Sequence, residues 1–308
     1  MKPPAKLFDC IIIGGGPAGL LAATYLARFR RSVLLIDAGE SRARRIPIIQ
    51  NCPGFPDGIS GLDLLRRLRD QVDRYEIELF EGIADSIERM DPSFRVSCGS
   101  TEFLANTILF ATGVVDVEPN IPDIEANIRS KALCLCPVCD GYEASDLKIG
   151  VIGSDEHALR EAIFLRSYSS DVSLIAREGN PVEVALEKEA RRNGIRIAVA
   201  LSFESSFEGL VAIGPEEGEA FDVIYPALGC KVRSHLTGSL GIERDDLGHI
   251  LVGKRQETTV EGVYAAGDVV HSLNQIAVAF GQAATAATAI HNNLPNRLRC
   301  KGGPISQH

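Results

Sequence analysis

The 308-residue chain has no excess of base: 32 Lys and Arg stand against 41 Asp and Glu, a formal charge of −9. That balance argues against a nucleic-acid groove or an anionic membrane surface as its main partner. Long apolar runs are missing too. The most apolar late stretch, "IAVAFGQAATAATAI" (276–290), is too short and too rich in Gln and Thr to span a bilayer. The opening "MKPPAKLFDCIIIGGGPAGLL" puts two lysines ahead of an apolar run, yet Asp9 and a glycine cluster interrupt that run. A buried strand entering a turn is expected there rather than a signal peptide, with a cytoplasmic location for the protein. Without a secretion signal, the eight cysteines (10, 52, 98, 134, 136, 139, 230 and 300) do not read as a disulfide framework. Most are expected to be small buried hydrophobes. Histidines are few and stand singly along the chain, at 157, 235, 249, 271, 291 and 308. No low-complexity linker or short-period repeat occurs, and at 45% hydrophobic residues the length suits two medium cores better than one.

The N-terminal stretch "FDCIIIGGGPAGLLAATYLARFRRSVLLIDAGE" reads as strand, glycine turn, helix and strand. Gly14, Gly16 and Gly19 satisfy G-x-G-x-x-G, immediately before Pro17 and Ala18 open the helix or within its first turn. In that pattern the first glycine permits the tight turn, the second lets backbone approach a pyrophosphate, and the third lets helix pack on strand. Asp37 ends the second strand, placed to accept hydrogen bonds from an adenosine ribose; an ordinary strand-end acid is the alternative. "NTILFATGV" (106–114) is a strand running into a Thr112-Gly113 turn, and "VEGVYAAGDVV" (260–270) a strand running into Gly267-Asp268. Between them "LKIGVIGSDEHALREAIFLRS" and "DVSLIAR" repeat the strand-turn-helix-strand pattern. One α/β unit is therefore inserted in another. The expected fold is α/β, with two nucleotide-binding, Rossmann-like, three-layer domains: 1–116 with 245–308, and 117–244.

"CPVCDG" (136–141) opens the inserted domain with two thiols at i and i+3. Such a pair near a helix start can close a disulfide and exchange it. With Cys134 it makes three thiols in six residues, the beginning of a zinc site, but no fourth ligand is apparent and no second C-x-x-C exists, so no metal is expected. Two reduced, buried cysteines are the remaining reading.

Five motifs in order (the glycine fingerprint, "NCPGFPDGISG" at 51–61, ATG at 111–113, C-x-x-C-D at 136–140 and GD at 267–268) resemble the low-molecular-weight thioredoxin reductases. The resemblance covers nearly the whole chain. It implies an FAD-dependent disulfide oxidoreductase and a homodimer. FAD would be held by Gly14, Gly16, Pro17, Ala18, Gly19, Asp37, Asn51, Thr112, Gly113, Gly267, Asp268, Gln275 and Ile276. Asp268 would face the ribityl-pyrophosphate, and Gln275 would hydrogen-bond the isoalloxazine. Cys139 would face the flavin, Cys136 would exchange with the external disulfide, and Asp140 would protonate the leaving thiolate. The helix around 276–290 would join the dimer contact or serve as a plain core helix.

The chain departs from that pattern where the family holds NADPH. The second turn reads "GSDEHA" (153–158), with Asp155 at the middle glycine and Glu156 beside it; a side chain there blocks backbone approach and two carboxylates face a phosphate. The basic cluster expected after the next strand is Ala176, Arg177 and Glu178. These changes resemble a sub-branch that keeps FAD and the CxxC without efficient NADPH use. Its members include dithiol oxidases, which close a disulfide in a small molecule with oxygen as acceptor, and reductases fed by ferredoxin. The partner is then a thioredoxin-like protein or a small dithiol or disulfide, and the electron partner ferredoxin, oxygen or, weakly, NADPH. Ferredoxin fits a net negative chain poorly unless "SRARR" (41–45) supplies a local basic patch; otherwise that stretch is a solvated loop. The non-enzymatic alternative is a flavin redox sensor.

Overall fold

The computed structural model describes residues 6–206, 209–215 and 217–297. Cys300 and His308 lie outside the described residues. The chain opens with β1 (Leu7–Ile13), α1 (Pro17–Arg28), β2 (Val33–Asp37) and a 3-10 turn at Arg42–Arg45. Then come α2 (Gly61–Val72), β3 (Glu78–Glu81), β4 (Ser86–Met90), β5 (Ser93–Cys98), β6 (Thr101–Phe110) and β7 (Val114–Asp116). The middle of the chain holds α3 (Ile124–Ser130), α4 (Pro137–Asp140), β8 (Ile149–Ile152), α5 (Glu156–Leu165), β9 (Val172–Arg177), α6 (Val184–Arg192) and β10 (Arg196–Ala200). It continues with β11 (Ser202–Ser206), β12 (Gly209–Ile213), β13 (Gly218–Phe221), β14 (Val223–Pro226) and β15 (Cys230–Val232). A 3-10 turn at His235–Leu240, β16 (Val263–Ala265) and α7 (Ile276–Asn293) complete it.

Two compact units emerge: Met1–Ala43 with Asp63–Val115 and Val232–His308, and Arg44–Leu62 with Asp116–Lys231. The chain re-enters the first unit at Val232, earlier than a boundary at 245. The reason is packing: Leu236 and Ile242 are buried in the first unit's core.

In the first unit β3, β2, β1 and β6 run parallel in that order. β6 then forks. Its first half, Thr101–Ala105, pairs antiparallel with β5, and Ile108–Phe110 pairs parallel with β16. Register places Ile11 beside Leu34 and Ile108, and Ile13 beside Ile36 and Phe110. These alternate residues share one face and bury themselves with Phe94, Val96, Ile250 and Val269. β1 is buried from Phe8 to Ile13, as expected of a parallel strand covered on both sides. Its one acid, Asp9, is buried but satisfied: it accepts from Ser32 N at 2.7 Å and pairs with Arg297 at 2.7 Å.

The second unit has a parallel sheet in the order β10, β9, β8, β14, and an antiparallel sheet β11, β12, β13. One face of the parallel sheet, Ile149, Val151, Leu174 and Tyr225, packs with Ala158, Leu159, Ala162 and Leu165 of α5. The other face, Ile152, Ile175 and Ile224, packs with Phe203, Leu210 and Phe221 of the antiparallel strands. The α/β expectation therefore holds in both units. α7 packs against α1, so the alanine-rich face, with Ala279, Ala283, Ala286 and Ala287 buried, serves as a core face of the first unit. No helix among the described residues is long and apolar enough to cross a membrane.

Candidate active site

The glycine turn, the Thr-Gly turn and the Gly-Asp turn meet in the first unit. A Cβ on Gly14, whose φ is +108°, would lie 2.4 Å from the carbonyl oxygen of Ala111, and one on Gly19 would lie 1.8 Å from that of Gly14. Only hydrogen fits at either position, which is why the strand can turn so tightly into α1. Gly267, at φ +83°, approaches the methyl of Ala18 within 3.0 Å of where its own Cβ would be. Its N–H donates to Oε1 of Gln282 at 2.8 Å, which fixes the Gly-Asp turn to α7. Thr112 Oγ1 donates to the Arg233 carbonyl at 2.6 Å, and Arg233 N returns a bond to Gly113 O at 3.0 Å. Asp268 pairs with Arg42 at 3.5 Å. Gln275 is the extended N-cap of α7 and Ile276 its first residue.

These residues fit a dinucleotide. Gly16, the N-cap of α1, brings no side-chain cap, and Pro17 follows it, so the first turn of the helix is left for an anion. The carboxamide oxygen of Asn274 is buried without a hydrogen-bond partner among the described residues, an acceptor left unsatisfied beside Gln275. Asn51 is exposed and lies in Arg44–Leu62, which groups with the second unit rather than with the glycine turn.

Three contacts were invisible to motif reading. Asp37 does more than end β2: its Oδ1 accepts from Gly15 N at 3.0 Å, and a Cβ on Gly15 would sit 2.4 Å from its Cγ. Gln282 had no signal at all. Arg42 belonged to a stretch read as a patch or a solvated loop; it is instead part of a short 3-10 turn in which Arg42 pairs with Asp268 and Arg45 with Glu118 (2.8 Å) and Glu125 (3.0 Å). Only Arg44 is fully exposed there, so little positive charge is left to receive an acidic partner.

In the second unit Cys136 and Cys139 form a disulfide, with Cα atoms 5.3 Å apart. Cys136 is the extended N-cap of α4 and Pro137 its first residue. Both cysteines are half-buried. Of the other described cysteines Cys230 is half-buried, whereas Cys10, Cys52, Cys98 and Cys134 are buried, and burial pushes the thiols of Cys10 and Cys98 up to about 12 and about 11. They stay protonated and inert, as small apolar side chains. With Cys136 and Cys139 joined to each other, the three-thiol zinc reading keeps only Cys134 in this redox state.

Asp140 follows Cys139 into an unusual pocket. The segment leading to it is pinned to β14 by Cys134 N donating to Ile224 O at 2.9 Å, and this sets Cys134 beside Tyr225. Oδ1 of Asp140 and the hydroxyl of Tyr225 are both buried without a hydrogen-bonding partner among the described residues. Burial pushes the Asp140 carboxyl above the ordinary carboxylate range, against a weaker opposing pull from the Cys134 thiol and the Tyr225 hydroxyl. Burial likewise raises Cys134 and Tyr225, and Asp140 adds to both. A carboxyl that holds its proton more tightly than usual, one residue after Cys139, suits a group that hands a proton to a departing thiolate.

The second glycine turn contrasts with the first. Asp155 is the N-cap of α5, and its Oδ1 accepts from Ala158 N at 2.9 Å. The helix N-terminus that would meet a phosphate is thus occupied by the chain's own carboxylate. Glu156 pairs with Arg160 one turn on. Ala176 is buried in β9, while Arg177 and Glu178 are exposed.

A family model described as pyridine nucleotide-disulphide oxidoreductase matches residues 8–283. The thioredoxin reductase of Mycolicibacterium smegmatis is 29% identical over 302 residues, 93% of this chain and 96% of that one. The crystal structure of thioredoxin reductase from Streptococcus pyogenes superposes with a TM-score of 0.85 at 26% identity, covering 93% of this chain and 97% of that chain. A crystal structure of a protein named HlmI superposes with a TM-score of 0.84 at 30% identity, covering 92% of each. A glycine turn built for a dinucleotide, a closed CxxC disulfide and a match across nearly the whole chain lead to one conclusion: the chain belongs to the pyridine nucleotide-disulphide oxidoreductase family and is an FAD-dependent disulfide oxidoreductase of the thioredoxin reductase type.

Proposed function

We propose that the protein exchanges two electrons between the Cys136–Cys139 pair and an external disulfide or dithiol, and that NADPH bound in the second unit is not the efficient source of those electrons. The observation that carries this is the contrast between the two glycine turns: Gly16 leaves α1 uncapped, whereas Asp155 caps α5 with its own carboxylate. Bound FAD supplies a two-electron store. Gly14, Gly16, Pro17, Ala18 and Gly19 would present backbone to its pyrophosphate, Asp37 would meet its ribose, and the segments at Thr112-Gly113, Gly267-Asp268 and Gln275-Ile276 would line the rest.

In the dithiol direction, an external thiolate attacks the sulfur of Cys136 and the Cys136–Cys139 bond breaks. Asp140 donates its proton to the departing sulfur of Cys139. The second external thiol then displaces Cys136, whose sulfur takes that thiol's proton, and Asp140 regains from solvent the proton released when the first thiol ionised, so one external disulfide forms and the pair becomes two thiols, a net passage of two electrons and two protons. In the reducing direction the same bonds form and break in reverse, with a thioredoxin-like protein as the disulfide partner. Closure of a disulfide in a small dithiol, with oxygen as final acceptor, uses the same residues. It is the reading favoured by the paired state of Arg42 and Arg45, which leaves little basic surface at that turn for an acidic electron-carrier protein.

Anaerobic rapid mixing of the flavoprotein with NADPH, and separately with dithiothreitol, tests the reading through loss of the flavin absorbance. Bleaching by the dithiol, its loss in Cys136→Ser and Cys139→Ser, and slow or weak bleaching by NADPH are expected. Rapid bleaching by micromolar NADPH would overturn the electron-source assignment. Dithiol consumption that stops at one equivalent under air would reduce the protein to a sensor.

A further inference from the structure

Histidines that stand singly in the sequence do not stand singly in the fold. His249 and His271 converge on Asp245 in the first unit. Oδ1 of Asp245 accepts two backbone N–H groups, from Leu247 at 3.0 Å and His249 at 2.8 Å. Its Oδ2 meets both imidazoles, lying 3.0 Å from Nδ1 of His249 and 2.7 Å from Nδ1 of His271. The rings stand nearly perpendicular, at 80°, with centroids 5.3 Å apart. Two loops hold this arrangement. The turn from Asp245 to His249 closes through Asp245 N donating to His249 O at 2.9 Å, and Ile250 N donates to Val269 O at 2.9 Å, which sets His271 opposite His249.

We infer that Asp245, His249 and His271 form a binding site for a first-row divalent transition metal of the zinc class. Two imidazole nitrogens and one carboxylate oxygen are the donor set such ions take from proteins when a further position is left for water. The three ligand atoms lie within 4.8 Å of one another. Ligands on a tetrahedral ion stand roughly 3.3 Å apart at ordinary zinc-ligand bond lengths. The present nitrogen-to-oxygen separations of 2.7 and 3.0 Å therefore need only a small opening. His271 can give it, because its side chain is 68% exposed, while His249 is buried and fixed. The backbone bonds to Oδ1 act as the outer support that aims the other oxygen at the ion. One carboxylate with two imidazole nitrogens suits a dication and not an anion, and the two nitrogens disfavour magnesium or calcium, which take oxygen. Because His271 follows Asp268 by a short loop, an ion here would clamp that loop to the Asp245–His249 turn.

The test uses the purified flavoprotein with its disulfide oxidised, treated with chelator, dialysed, and titrated calorimetrically with zinc chloride. One ion per chain is expected, with magnesium chloride giving no heat. Affinity should fall at least tenfold in both His271→Ala and His249→Ala, and the zinc-dependent rise in melting temperature should vanish with it. Should His249→Ala fail to fold, His271→Ala, which removes an exposed ring, decides alone. Absence of zinc binding by the wild type, or wild-type affinity in His271→Ala, would overturn the inference and leave the cluster a hydrogen-bonded clasp between two loops.

Discussion

Replacing Asp155 by glycine should create a nucleotide site where the chain now closes one. The carboxylate caps α5 by accepting from Ala158 N at 2.9 Å. One such charge about 5 Å from one phosphate charge repels it by roughly 3 kcal/mol at an effective dielectric near 20. Asp155 is exposed, so solvent and salt reduce this to about 1 kcal/mol at the lower end. A range of about 1 to 3 kcal/mol corresponds to roughly 5- to 150-fold in affinity. The helix loses little in exchange, since glycine at an N-cap costs only about a few tenths of a kcal/mol against Asp. Asp155→Gly should therefore bind NADPH at least about fivefold more tightly than the wild type by calorimetry, and its flavin should bleach correspondingly faster at subsaturating nucleotide. Asp155→Asn separates the two causes, because it removes charge but keeps a side chain in the path of the backbone; it should recover only part of the gain. Wild-type protein that binds NADPH at micromolar concentration, or an Asp155→Gly variant with unchanged affinity, would refute the reasoning.

Asp140→Asn should slow disulfide exchange by about 10²- to 10⁴-fold, the usual contribution of a positioned acid, measured by single-turnover dithiol oxidation. The same variant has a stability signature: the folded state raises the carboxyl's pKa, so the stability tied to its proton is present at low pH and lost as pH climbs through that raised value. The asparagine cannot ionise, so the melting-temperature difference between variant and wild type should shift in the variant's favour as pH rises above the ordinary carboxylate range. Gly15→Ala should cost about 1–3 kcal/mol through overlap with Asp37 and yield protein with a lower flavin-to-protein absorbance ratio; full flavin content would sink the assignment of that turn. Gln282→Leu should leave the Gly267 N–H without its acceptor, lowering stability by about 1–3 kcal/mol and speeding flavin release in dilution experiments.

Much of this was legible because the residues concerned are constrained locally. Gly14 and Gly19 are glycines for want of space, and the apolar runs of β1 and β6 announce strands buried on both sides. The CxxC stands out by its spacing, and its place in order among four other motifs carries the redox reading. What the sequence could not display are partners distant along the chain. Asp245, His249 and His271 have no shared motif, and the bond from Ile250 to Val269, between two distant segments, helps bring them together. Gln282 reads as one more residue of a bland helix. Of the neighbours that shape the Asp140 pocket, Cys134 reads as the third thiol of a zinc site or a small buried hydrophobe and Tyr225 carries no signal; in the fold both are core residues. The boundary at Val232 was displaced for a similar reason: the stretch after β15 carries no strand signal, yet its Leu236 and Ile242 belong to the first core.

The fork in β6 has a consequence for how the protein is made. Ile108–Phe110 waits for Val263–Ala265, and α1 waits for α7, so the first unit cannot close until nearly the whole chain has left the ribosome. The second unit lacks that handicap, because its parallel sheet is drawn from one continuous stretch. Synthesis therefore yields a finished inner unit while Ile108–Phe110 of β6 still shows an unpaired edge and α1 an uncovered face. Such surfaces are where nascent chains aggregate or recruit chaperones. A flavin cradle assembled, as proposed, from the first and last parts of the chain would make cofactor uptake a late event, and a ribosome stalled before β16 would release a chain with its disulfide motif folded and no place for FAD.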